Sequence, residues 1–132
     1  MKPTATFETL KCFADARGLV LEPLGPAELP LQKNAHLVLT APGGVRGNHY
    51  HRQGTEVMVL IGPALVRLRD GHSGEVRDVK VAPAEVVRFF LPPGVAHAIQ
   101  NTGDQPLVIL SFSDCAHDPQ SPDVVREVLI PV

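Results

Sequence analysis

The chain has 132 residues, one domain's worth, and a net charge of −2 from 12 basic and 14 acidic side chains mixed along its length. With no basic stripe and no acidic tail, that balance gives no footing to a nucleic-acid or membrane-surface partner. Glycine (11) and proline (13) make up about 18 % of the chain against a usual ~12 %; they show no period of three, which excludes collagen, and the 44 % of hydrophobic residues argues against disorder.

Prolines spread along the whole length argue against long helices, because an interior proline costs a helix about 3 kcal/mol. The expected elements are short strands. Residues 4–10 (TATFETL) alternate loosely and predict a first strand, and 19–23 a second after the turn at Asp15–Gly18. Residues 25–30 read as loop. Strands are then expected at 36–40, 48–51, 56–61, 65–69, 75–81, 86–91, 97–101 and 107–113, separated by Gly, Pro and Asp-Gly punctuation. Strands at intervals of roughly ten residues point to an antiparallel barrel or sandwich. One short helical turn is allowed for at Ser121-Pro122-Asp123 near the C-terminus. Phe89 and Phe90 are consecutive in an alternating strand, so one is expected in the core and the other at an interface.

The longest apolar run, 57–66, is broken by Gly62-Pro63 and falls far short of the ~20 residues of a spanning helix. The first eighteen residues lack the apolar core of a signal peptide, so a cytoplasmic protein is expected. Cys12 and Cys115 belong to no CxxC pair, and two free thiols are favoured over a disulfide.

The histidines carry the chemistry. His49 and His51 sit two apart in a predicted strand, so both side chains share a face while Tyr50 points to the other. A short polar turn leads to Glu56, which a hairpin returns beside them. His97 opens a later strand after Pro92-Pro93-Gly94. Three imidazoles and one carboxylate suit a divalent ion with positions left open for water or substrate. Either histidine taken singly would read as a surface or hydrogen-bonded residue; the combination is what points to ligation. His36, His72 and His117 have no such company and are read as non-ligands, His72 in a solvated turn. Arg46 is a candidate clamp for a diphosphate or sugar oxygen, or else a salt bridge at the barrel mouth. Gln100 and Asn101 are candidate substrate hydrogen-bonders near His97. Tyr50 is read as packing or a subunit contact.

These residues resemble the cupin family. The first cupin motif, G(X)5HXH(X)3-4E(X)6G, is matched by Gly43, His49, His51 and Glu56, with Gly62 one position early. The second, G(X)5PXG(X)2H(X)3N, is matched by Pro92, Gly94, His97 and Asn101, with Val86 in place of its leading glycine. The early Gly62 implies a trimmed or bulged turn before it. The resemblance implies an all-β fold, a double-stranded β-helix or jelly-roll barrel spanning residues 1–132 as a single domain, with one divalent ion (Zn, Fe, Mn or Ni, zinc first) on His49, His51, Glu56 and His97.

A narrower resemblance covers roughly residues 13–130. Asp15-Ala16-Arg17-Gly18 with Leu19-Val20-Leu21-Glu22 is similar to the DxRG opening of nucleotide-sugar epimerases and ketoisomerases. Arg46-Gly47-Asn48-His49-Tyr50-His51 and the segment 91–103 resemble the cupin C-terminal domain of capsular polysaccharide proteins, which epimerises a UDP-linked keto sugar beside a reductase domain. No reductase domain is expected in these 132 residues, so any reduction is expected to come from another polypeptide or to be absent. The dTDP-4-keto-rhamnose 3,5-epimerases are similar at RGxHY but lack the second histidine. The resemblance implies an epimerase or isomerase of a nucleotide-linked keto sugar in polysaccharide biosynthesis, with a homodimer formed through the N-terminal strand. A metal-dependent cupin dioxygenase and a non-catalytic small-ligand cupin stay open beside it. The catalytic acid/base is unassigned: the histidine at the family's position is committed to metal.

Overall fold

The computed structural model describes residues 3–71 and 74–132; His72 lies outside them. Two five-stranded antiparallel sheets face each other. The first runs in the order β1 (Thr6–Thr9), β9 (Val86–Leu91), β6 (Glu56–Ile61), β11 (Leu107–Ser113), β4 (Asn34–Thr40); the second runs β12 (Val124–Arg126), β5 (Val45–His51), β10 (Ala96–Asn101), β7 (Ala64–Arg69), β8 (Val76–Val81). This is the expected jelly roll. A hairpin of β2 (Phe13–Asp15) and β3 (Gly18–Val20) stands apart from both sheets.

Alternation explains the interior. In β7, Ala64, Val66 and Leu68 are buried while Leu65, Arg67 and Arg69 turn outward. Met58 and Leu60 of β6, Phe89 and Leu91 of β9, Ile99 of β10 and Ile109 of β11 meet them in one core. Glu56 shares the inward face of β6 with Met58 and Leu60, so the strand that builds the core also carries a carboxylate to its end. Phe89 is fully buried, the core member the doublet predicted, and Phe90 is half-buried beneath Arg88.

The second strand begins earlier than expected. The Arg17 backbone N–H donates to the Asp15 carboxylate at 2.8 Å, closing an Asx-type turn that starts β3 at Gly18. Within the segment read as loop, Leu29–Leu31 forms a 3-10 turn, the helical element among the described residues. No helical turn forms at 121–123: the Asp123 side chain, free to cap a helix, instead caps the loop after β5, and the chain runs extended into β12. The turn before Gly62 is trimmed rather than bulged, since β6 pairs with β9 and β11 in unbroken register and only Gly62-Pro63 separate it from β7. Cys12 and Cys115 are free thiols. No helix among the described residues is long and apolar enough to cross a membrane.

Candidate metal centre at the barrel mouth

The irregularity in the barrel lies in β5, at the site. His97 of β10 faces His49, Ala98 faces Gly47, and Ile99 faces Arg46, so Asn48 is an extra residue in β5. Gly47 (φ 81°) and Asn48 (φ 57°) both take the left-handed backbone this bulge needs. Asparagine tolerates that region, and here it is also anchored. Its amide oxygen accepts the Leu129 and Ile130 N–H groups at 2.9 and 3.0 Å, and its NH2 donates to the Ile130 carbonyl at 2.9 Å. The extra residue resets the parity of the strand. Arg46 would otherwise point away from His49 and His51; with the bulge it joins their face.

His49, His51, Glu56 and His97 converge, their ligand atoms all within 4.8 Å of one another. Two contacts hold the frame. His97 pairs directly opposite His49, and the Gly94 N–H of the turn before His97 donates to the His51 carbonyl at 2.8 Å. His51 Nε2 lies 2.9 Å from Glu56 Oε1, and His97 Nε2 lies 3.7 Å from Oε2. The other nitrogen of each ring has its own partner: His97 Nδ1 faces the Val95 carbonyl at 3.4 Å, and His51 Nδ1 faces Asp123 Oδ2 at 3.5 Å. The Ser111 hydroxyl donates to Glu56 Oε2 at 3.4 Å.

Burial, helped by the His97 and His51 imidazoles, pushes His49 down to about 4. Burial likewise lowers His97, against the pull of Glu56. Burial works to raise the Glu56 carboxyl, but the charge of His97 and the bond and charge of His51 outweigh it and hold it at about 2. For His51 burial again acts downward; Glu56 and then Asp123 outweigh it, and the net shift is upward. Neutral His49 and His97 beside an ionised Glu56 is the protonation state a cation requires.

The donor set fits a divalent ion. Ligand atoms about 2.0–2.2 Å from one ion in tetrahedral coordination stand roughly 3.3–3.6 Å apart, so the widest-spaced pair, now within 4.8 Å, would close by about 1 Å, a shift that side-chain rotation can supply. Two adjoining cavities of ≈ 250 and ≈ 170 Å³ open onto it, sharing His36, His49, Glu56 and Ser111 as walls.

The other candidates fall differently. Arg46 lines the smaller cavity, its guanidinium donating to the Thr40 hydroxyl and the Leu39 carbonyl at 3.2 and 3.1 Å rather than pairing with an acid. Gln100 lies on the face of β10 opposite His97. Asn101 shares the inward face, but its amide is taken up by the Thr40 and Gln105 carbonyls and the Gly103 N–H, tying together loops at the far end of the strand. The structure brings neither amide to the cluster. Tyr50 faces away from it, as expected, with the Arg69 guanidinium 5.8 Å from its ring centre.

Three contributors were not singled out in the sequence, His36 having been set aside with His72 and His117. His36 sits opposite Ser111 on the inward face of β4, and the alternation His36, Val38, Thr40 could have placed it there. Ser111 is a polar residue at an inward position of an apolar strand, which is itself a signal. Asp123 carries no local signal, because its partners lie about 70 positions earlier.

A jelly-roll barrel carrying this histidine–glutamate cluster at its mouth defines a cupin-type protein. Within that class, the chain belongs to the family described as the polysaccharide biosynthesis C-terminal domain, which matches residues 13–125. It is 31 % identical over 114 residues to the UDP-2-acetamido-2,6-beta-L-arabino-hexul-4-ose reductase of Pseudomonas aeruginosa, covering 83 % of this chain and 29 % of that protein. The capsular polysaccharide assembling protein CapF of Staphylococcus aureus superposes with a TM-score of 0.66 at 25 % identity, over 74 % of this chain and 27 % of CapF. The chain thus spans under a third of either relative. QdtA, a sugar 3,4-ketoisomerase from Thermoanaerobacterium thermosaccharolyticum in complex with TDP, superposes with a TM-score of 0.71 at 20 % identity over 93 % of this chain and 88 % of QdtA, a likeness of fold.

Proposed function

We propose that this protein is a metal-dependent epimerase or isomerase of a nucleotide-linked keto sugar in polysaccharide biosynthesis. The observation that carries the reading is the convergence of His49, His51, Glu56 and His97 beneath cavities walled by further polar groups. The family, the UDP-sugar named for the curated relative and the TDP held by QdtA support the substrate class. A divalent ion bound at the cluster supplies Lewis-acid polarisation of a carbonyl oxygen, which acidifies the neighbouring C–H.

The chain's own residues supply the rest. Arg46, on the ligand face, is the clamp for a diphosphate or sugar oxygen. Proton transfer needs a group that is not a ligand. His36 is an exposed imidazole shared by both cavities, and we assign it that role.

The test is deuterium wash-in from D2O at the carbon beside the carbonyl, with UDP- and TDP-linked keto sugars. Wild type exchanges; His51→Ala loses exchange together with its metal; His36→Gln keeps the metal and exchanges roughly 100-fold more slowly. A wild type loaded with zinc, iron, manganese or nickel that exchanges neither sugar sinks the epimerase or isomerase assignment and leaves the dioxygenase and the ligand-binding cupin. The reading includes a homodimer in the cytoplasm. Within one chain β1 pairs with β9, and Leu37 and Leu39 on edge strand β4, 65 % and 59 % exposed, offer a further face for a second copy. Light scattering is expected to give twice the mass of one chain, and a monomer at micromolar concentration would reject the dimer.

A further inference from the structure

The four ligands do not explain why the segment after β11 folds back across the site. Residues 114–126 grip the loop that joins His51 to Glu56 at nearly every position. The Asp123 carbonyl accepts the Arg52 N–H at 2.9 Å, its Oδ1 accepts the Gln53 N–H at 2.9 Å, and its Oδ2 accepts the Gly54 N–H at 2.9 Å. Asp114 completes the set, its Oδ1 accepting the Thr55 N–H at 2.8 Å. Position 54 has room for no side chain: a Cβ there would stand 2.9 Å from Cys115 Cβ and 3.0 Å from Asp123 Oδ2. One residue on, Val124 pairs with His51 itself in β12.

One consequence concerns His51. The two backbone N–H groups fix the Asp123 carboxylate, and the fixed Oδ2 stands 3.5 Å from His51 Nδ1, on the side of the ring away from the cluster. An imidazole that ligates through one nitrogen must carry its proton on the other, and a carboxylate at that second nitrogen sets both tautomer and ring angle. Asp114 caps the same loop without facing a histidine, which makes it an internal control.

We infer that Asp123 is a positioning residue for the metal centre, its loop-locked carboxylate accepting the Nδ1–H of His51 so that Nε2 faces the ion. The inference rests on the metal reading above.

The experiment uses the full chain and zinc alone, with affinity read by chelator competition and folding by thermal melting. Asp123→Asn is expected to weaken zinc binding 10- to 100-fold, while Asp114→Asn stays within about threefold of wild type. Equal losses in the two variants would mean that loop capping alone matters, and would overturn the inference, as would an unchanged Asp123→Asn. A second measurement needs no variant: in the zinc-loaded wild type, 15N NMR should find the His51 proton on Nδ1, and ligation through Nδ1 would overturn the inference even if Asp123→Asn fails to fold. A wild type that binds no zinc, iron, manganese or nickel overturns the metal reading itself and this inference with it. That failure is seen in wild type, and so is told apart from a failure of Asp123 alone.

Discussion

Gly47→Ala is expected to lower the stability of this protein by about 3 kcal/mol, seen as a fall in melting temperature on the order of 10 °C. Two costs add. Residue 47 sits at φ 81°, a backbone region that costs a residue with a Cβ about 1–2 kcal/mol. The new methyl would also stand 2.6 Å from the His97 carbonyl oxygen and 3.3 Å from Ala98 Cα. Both neighbours are backbone of the adjacent strand, so neither can rotate aside, and overpacking of this kind costs roughly 1–3 kcal/mol more. The relief available is for β5 to move off β10, which parts His49 from His97 and opens the cluster. Zinc uptake should therefore fall with stability. Gly43→Ala isolates the first cost: its φ is 78°, yet its Cβ would meet nothing within 4 Å. That variant should lose only about 1 kcal/mol and keep its metal. If thermal melts rank the two alanine variants together, the close approach of β5 to β10 at the bulge is not there.

The same bulge marks the limit of what the sequence discloses. The convergence of His49, His51, Glu56 and His97 was legible because strand period and motif spacing are local properties, and each of the four lies on a regular stretch whose parity can be counted. Arg46 was chosen for its charge and its nearness to the first ligand. Counting parity alone would have turned it away from the site, and it reaches the ligand face only through the extra residue at Asn48. Nothing local in Gly47-Asn48 says that asparagine is the extra residue, because its reason lies in the backbone of Leu129 and Ile130, some eighty positions on. Asp123 was hidden in the same way. Read locally, Ser121-Pro122-Asp123 looks like a helix start; in the fold, the carboxylate finds the Gln53 and Gly54 N–H groups instead, and no helix forms. The structure keeps Gln100 and Asn101 away from the cluster for different reasons. Gln100 has the wrong parity, and the Asn101 amide is consumed by turns whose carbonyl groups cannot be located without the fold.

The metal-free protein should melt highest near pH 6.5–7 and lose stability on either side, more steeply toward acid. His49 is held at about 4 in the folded state against an ordinary 6.5. Between those values the unfolded chain binds the extra proton, so stability falls as pH drops from 6.5 through 4. His97, also lowered, acts in the same direction over the same range. Glu56, held at about 2 against an ordinary 4.5, adds a contribution that is present above pH 4.5 and lost as pH falls toward 2. His51 has the opposite sign. Its raised folded value means that its contribution is full below 6.5 and disappears as pH rises through that value. Two histidines followed by a carboxylate thus act on the acid side against one histidine on the alkaline side. With His49 discounted for its partial exposure, the melting temperature should fall on the order of 10 °C between pH 6.5 and 4.5, as followed by circular dichroism. His49→Gln removes one of the two neutral imidazoles and should flatten the acid limb while sparing the alkaline one. The contrary result would be a melting temperature constant down to pH 4.5, or an acid limb unchanged in His49→Gln. Either would mean that these imidazoles take up protons as freely folded as unfolded, which a closed cluster at the barrel mouth does not allow.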